Sequence, residues 1–237
     1  MNMEPKLVLI VSYKESSMNW LKTFKTIGLA LILGASLTAC GAGKSSWKEE
    51  VLLHDGSKII VERSVKRGGR HEIGQKPGYK EQSLTFTMPS TKQKITWEDH
   101  YSEDLGGANF LPMVLDIKSG VVYLVANPVG IISFSKWGCP NPPYVIFKFI
   151  DNRWQRIPLE SLPNEIKTTN LIFSMPDFKV EQSGKRFMTV EMIKAIVAEY
   201  PQPEYRTILR EPIASIVNRH PKLSTNRRPI LSTFQLS

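Results

Sequence analysis

The chain has 237 residues, 41% of them apolar and 22% charged, with a formal net charge of +9. That length and apolar content suit one globular domain with its own core and exclude a polytopic membrane protein.

Near the N-terminus one stretch, Ile27 through Leu33, has the apolar density of a membrane segment. It is far shorter than the roughly 20 residues that span a bilayer and reads as the apolar region of a signal peptide. Trp20, Leu21, Lys22, Phe24 and Lys25 precede it as a short basic region, and Gly34, Ala35 and Ser36 follow it. The segment closes on Leu37-Thr38-Ala39-Cys40.

Those four residues resemble the lipobox of bacterial lipoprotein precursors. The resemblance implies that the Cys40 thiol is acylated, that signal peptidase II cuts before Cys40, and that the mature chain is held on a membrane outside the cytoplasm by that lipid. Met18 would begin a 22-residue signal ending at Ala39, and Leu7 to Val11 adds an apolar run a signal does not need, so Met18 is the expected start. By the enterobacterial sorting rule Gly41, not being Asp, favours the outer membrane facing the periplasm in a source with two membranes. Residues 1–39 hold four basic and two acidic residues, so a chain beginning at Cys40 keeps 27 basic and 20 acidic, net +7.

Gly41 to Ser46 form a short flexible spacer, and the domain is expected over residues 47–200. Four hairpins follow one another. Val51 to Leu53 and Lys58 to Glu62 flank His54-Asp55-Gly56, a strong turn signal. Leu84, Phe86 and Met88 alternate with polar residues, as do Ile95 and Trp97 beyond Pro89-Ser90-Thr91. Met113 to Ile117 and Val121 to Ala126 flank Lys118-Ser119-Gly120, and Tyr144 to Ile150 and Trp154 to Leu159 flank Asp151-Asn152-Arg153. This order predicts a mainly β antiparallel meander, built as a sandwich, a barrel or a propeller-like sheet set.

One helix is predicted, Thr189 to Tyr200, with Thr189 as cap, Glu191 at the positive end and Val190, Ile193 and Val197 on one face. Pro201 stops it. The prolines at 203, 212, 221 and 229 predict an extended or disordered tail over 201–237, with Ile213 to Val217 as a short apolar contact. That tail carries six basic and two acidic residues, suited to a polyanion or an anionic headgroup as much as to plain solvation. A location outside the cytoplasm speaks against a nucleic-acid partner.

The candidates for chemistry are few. Gly41-Ala42-Gly43-Lys44-Ser45 is not a phosphate loop, because position 38 is Thr where that motif needs Gly. His54-Asp55 reads as a turn rather than a metal pair. Glu98-Asp99-His100 with Glu103-Asp104 matches no calcium-loop spacing and reads as a surface acid cluster, though carboxylates there offer an acid–base alternative. The segment from Arg63 to Lys80 mixes Lys66, Arg67, Arg70, His71, Lys76 and Lys80 with four glycines, a long basic loop suited to an anion. Trp137-Gly-Cys-Pro-Asn-Pro-Pro-Tyr144 is rigid and aromatic at both ends, a shape suited to stacking on a sugar or peptide. Cys139 has no flanking motif of a cysteine enzyme, and with Cys40 lipidated it has no disulfide partner. No common hydrolase signature occurs, and no cofactor or metal is expected.

Residues 47–74 and 136–159 look similar to a group of uncharacterised bacterial envelope lipoproteins. That resemblance implies location and a mainly β body and assigns no functional residue beyond Cys40. The expected function is an anchored binding or structural module whose partner is an envelope protein, a glycan or an anionic headgroup. Its expected binding residues are Trp137, Tyr144, Arg70 and His71. The alternative is an envelope hydrolase using Glu98 or Asp99.

Overall fold

The computed structural model describes residues 43–214. The signal segment and Cys40 lie outside the described residues, as does the chain from residue 215 onward. The body is mainly β, two largely antiparallel sheets consistent with a sandwich and not closed into a barrel.

The first sheet contains β1 (Lys44–Leu52), β2 (Lys58–Arg67), β3 (Tyr79–Thr87), β4 (Lys94–Asp99) and the short β9 (Phe187–Met188), in the order β4-β3-β2-β1-β9. The second contains β5 (Phe110–Lys118), β6 (Val121–Pro128), β7 (Val145–Ile150) and β8 (Arg153–Ile157) in sequence order. All four expected hairpins are present, and the turns explain why. Asp55 accepts hydrogen bonds from the Ser57 backbone and hydroxyl, and Gly56 supplies a φ of +85°. Ser119-Gly120 and Asp151-Asn152 each place two successive residues at positive φ, the geometry that matches a two-residue turn to the strand twist.

Period-two alternation sets the faces of the first sheet. Trp47, Glu49 and Val51 of β1 point inward with Ile59, Val61, Arg63 and Val65 of β2. The outer face is a solvated array of cross-strand pairs, Lys48 with Glu62, Lys58 with Glu50 and Lys66 with Glu81. Between the sheets Val61, Leu84, Phe86 and Trp97 pack against Leu115, Leu124, Val145 and Phe147. β5 to β7 are buried on their other face too, where Met113, Val125 and Ile146 meet Leu162, Ile166, Phe173 and Ile208. That second covering explains the unbroken apolar runs in those strands.

Among the described residues three α-helices occur where one was expected. α3 (Val190–Ala198) is the expected one, with the Thr189 hydroxyl accepting from the Met192 amide and Val190, Ile193 and Val197 buried. α1 (Gly130–Lys136) is seven residues long and buries only Ser133, so it has no amphipathic stripe to read. α2 (Pro176–Ser183) starts on a proline and ends at Gly184 with φ +65°, the common proline-first, glycine-last asymmetry.

The folded body is longer at both ends than the sequence boundaries. β1 begins at Lys44 rather than Trp47. Past Pro201 a 3-10 turn at Pro203–Tyr205, a bridge between Thr168 and Thr207 and the buried Ile208 keep the chain on the second sheet. Arg210 donates to the carbonyls of Leu159, Leu162, Pro163 and Ile166, so this part of the expected tail belongs to the domain.

Strand direction gives the sandwich two unlike ends. The four hairpin turns share one, where Gln93 bonds Asn152 and His54 bonds Asp116. At the other end Gly43 leads into β1, and the three long connections 68–78, 100–109 and 129–144 meet.

Candidate functional site

The loop end is the part of the molecule not accounted for by core formation. The expected basic loop shrinks to residues 68–78, because Arg63 to Arg67 complete β2 and Tyr79 and Lys80 open β3. It starts beside the first described residue, with the Arg67 amide donating to the Gly43 carbonyl. Gly68 and Gly69 donate to the Gly78 carbonyl, Arg70 to that of Gly106, and Ala108 to that of Tyr79. A Cβ on Gly107 would lie 2.9 Å from the Tyr79 carbonyl oxygen and one on Gly69 3.0 Å from that of Gly106. The glycines thus serve close backbone approach between the two connections rather than an open anion cradle.

One cation of the expected 63–80 loop, placed at the end of β2, is fully engaged. Arg67 on β2 grips Asp177 of α2 through Nε at 2.6 Å and Nη2 at 2.8 Å, and donates to the Pro77 carbonyl. The Tyr79 hydroxyl donates to the same carboxylate at 2.6 Å, and the guanidinium lies over the Tyr79 ring, 4.5 Å from its centroid. Burial pushes the Asp177 carboxyl up, but Arg67 and Tyr79 outweigh it and hold it below the usual carboxylate range. Burial, with the bond to Asp177, raises the Tyr79 phenol. This bidentate, charge-assisted cluster fixes where the loop leaves the sheet.

Of the expected binding residues, Arg70 and His71 stand exposed on the loop, His71 bonded through Nδ1 to the Gly69 carbonyl. Trp137 and Tyr144 are not presented for stacking. Trp137 is half-buried, 4.6 Å from the Phe110 ring and 6.4 Å from Phe147, with Arg156 over it at 5.5 Å. Tyr144 is 5% exposed; its hydroxyl donates toward the carbonyls of Glu204 and Thr207 and accepts from the Leu209 amide. Burial pushes its phenol up to about 12. The proline-dense loop is therefore packed over a core edge, and Tyr144 ties the chain past Pro201 to the second sheet. Cys139 is a free, half-buried thiol in the same loop.

The acid cluster separates. Asp99 is buried and accepts from the Asn109 amide and side chain, the Phe110 amide and Gln82. Burial raises its carboxyl above the usual range against those donors. It knits β4 to the start of β5 and has no face toward solvent. Glu98 is exposed beside His100 at 3.4 Å. Among the described residues no group of His, Cys, Asp and Glu has metal-binding geometry.

Two polar sites escaped the sequence reading. His54 Nδ1 lies 2.7 Å from Asp116, which also accepts from the His54 and Ile117 amides; burial raises the Asp116 carboxyl, opposed by His54. No described hydroxyl or thiol bonds the other ring nitrogen, so this pair anchors the first turn to β5 without a nucleophile. Glu49 and Arg63 form an ion pair inside the body, with Trp47 and the Ile172 amide donating to Glu49 and Arg63 donating to the Ile172 carbonyl. Both positions fall on the inward face in the strand alternation, which is the signal that would have found them.

Compared with protein-family models, with curated proteins and with solved structures, the chain matches none.

Proposed function

We propose that the protein is a lipid-anchored envelope lipoprotein whose β-sandwich is a binding or structural module rather than an enzyme. The observation that carries this reading is the ordered run of basic region, short apolar region and Leu37-Thr38-Ala39-Cys40 ahead of the first described strand, which begins at Lys44. A cut before Cys40 removes no residue of any described strand or helix, as a mature N-terminus requires. The outer membrane facing the periplasm is the proposed site in a source with two membranes, since Gly41 follows the cysteine.

The hydrolase alternative has little support. Asp99 is 3% exposed and its acceptor positions are taken, and among the described residues no hydroxyl or thiol bonds the His54–Asp116 pair. Mass analysis of the N-terminal peptide of protein extracted from membranes tests the reading. The expected peptide begins at Cys40 and carries the mass of attached acyl chains; one beginning upstream with an unmodified thiol would contradict it.

A further inference from the structure

Of the eight exposed large hydrophobic residues described, five lie in the connections of the loop end: Ile73, Tyr101, Val129, Ile131 and Ile132. None lies in the four hairpin turns. Ile73, at the tip of the 68–78 loop, is wholly exposed at 106%, and Ile131 and Ile132 of α1 are 64% and 55% exposed. α1 sits at this end because the Val129 amide and the Ser133 hydroxyl both donate to the Asn109 carbonyl.

Cations cluster on the 68–78 loop and the start of β1 beside it. Residues 66–80 contain five Lys and Arg and one acid, Glu72. Lys44 stands directly opposite Lys66 across the β1–β2 pair; Glu81 holds Lys66 at 3.3 Å and leaves Lys44 without a carboxylate partner among the described residues. Lys185 and Arg186 lead into β9 beside β1, with Arg186 donating to the Ser46 carbonyl. Among the described residues neither Lys44, Arg70 nor Lys76 has a carboxylate within ion-pair distance. Glu81 and Asp177 are taken up by Lys66 and Arg67, while Glu98 in β4 and Glu103 and Asp104 just after it lie three strands from β1, with Asp104 held by Lys136.

Four Cα steps separate Cys40 from Lys44, at most about 14 Å. If acyl chains on Cys40 enter a bilayer, the start of β1 is confined to its surface. We propose that the loop end docks on the lipid surface that holds Cys40, with Ile73 and the Ile131–Ile132 pair at the acyl boundary and Lys44, Arg70 and Lys76 over anionic headgroups. This rests on the lipid-anchor reading. Apolar tips flanked by cations bind such an interface through both burial and charge, and the four hairpin turns then point away from the membrane.

The test uses full-length lipidated protein in vesicles of phosphatidylglycerol and phosphatidylcholine. In a Cys139→Ser background, an environment-sensitive fluorophore is placed at Ile73→Cys or, at the turn end, at Lys92→Cys. The label at 73 should shift to the blue and resist an aqueous quencher, while the label at 92 stays accessible. Lys76→Gln should weaken the docked state about fivefold, and high salt should weaken it too. Equal quenching at 73 and 92 in protein of confirmed acyl mass would overturn the docking alone. Protection at 73 in cells but not in vesicles would assign the surface to a protein and overturn it as well. An unacylated chain would overturn the anchor reading and the docking with it.

Discussion

Arg63 Nη1 and Glu49 Oε1 meet 3.0 Å apart, with side chains 1% and 0% exposed. The pair lies where the inner face of the first sheet passes from the second sheet to the helices. Val51 and Val61 pack between the sheets, while Trp47 and Val65 pack with Ile172, Val180, Ile193 and Val197. Arg63 also lies 5.3 Å from the centroid of the Trp47 ring. The pair reaches the backbone of Ile172 through both partners and so fixes the 170–173 segment to the first hairpin.

Removing one member leaves the other charged and dry. Arg63→Met is expected to destabilise the fold by about 3–5 kcal/mol, read as a drop in the denaturant midpoint. Arg63→Met with Glu49→Gln is expected to recover much of that loss, since Gln still accepts from Trp47. A double variant as unstable as Arg63→Met would show that the charge of Glu49 is not the source.

The Arg67–Asp177 cluster gives a pH dependence. The folded pKa of Asp177 lies below its ordinary value, so folding favours the ionised form. Its contribution is present above the unfolded carboxylate range and is lost as pH falls through the folded value. Wild-type stability should therefore drop below about pH 4. Asp177→Asn should be less stable at neutral pH, by about 1.5–3 kcal/mol for the charged hydrogen bonds removed, and should show a smaller acid loss. Denaturation midpoints across pH 2–7 check both.

The proline-dense loop is open to the same kind of measurement. Trp137→Ala is expected to cost about 2–3 kcal/mol through lost contact with Phe110 and Phe147, and Tyr144→Phe about 1–3 kcal/mol because it leaves backbone groups of residues 204–209 unpaired. Thermal unfolding reads both. Unchanged stability in both, with altered retention on a glycan matrix, would return these residues to a binding role.

The hairpins were legible because each rule was local: Asp55-Gly56 dictates a turn, and Leu84, Phe86, Ile95 and Trp97 alternate over segments shorter than ten residues. Thr189 announced α3 in the same way. The partners of these elements were not legible. Arg67 and Asp177 are 110 positions apart, and Asn170, which bonds both Leu52 and Leu115, ties the sheets together from a segment with no periodicity. Trp137 and Tyr144 were misplaced because an aromatic loop looks alike whether its rings cover a core edge or a ligand. The basic segment from Arg63 to Lys80 was found from composition, but its narrowing to a 68–78 loop and its place beside Gly43 follow only from the strands and the β1–β2 register.

Metabolic labelling with radioactive palmitate tests the central claim most directly. The wild-type protein should take up label and the Cys40→Ala variant should take up none. Equal labelling of both, or of neither, would contradict a lipid anchor at Cys40.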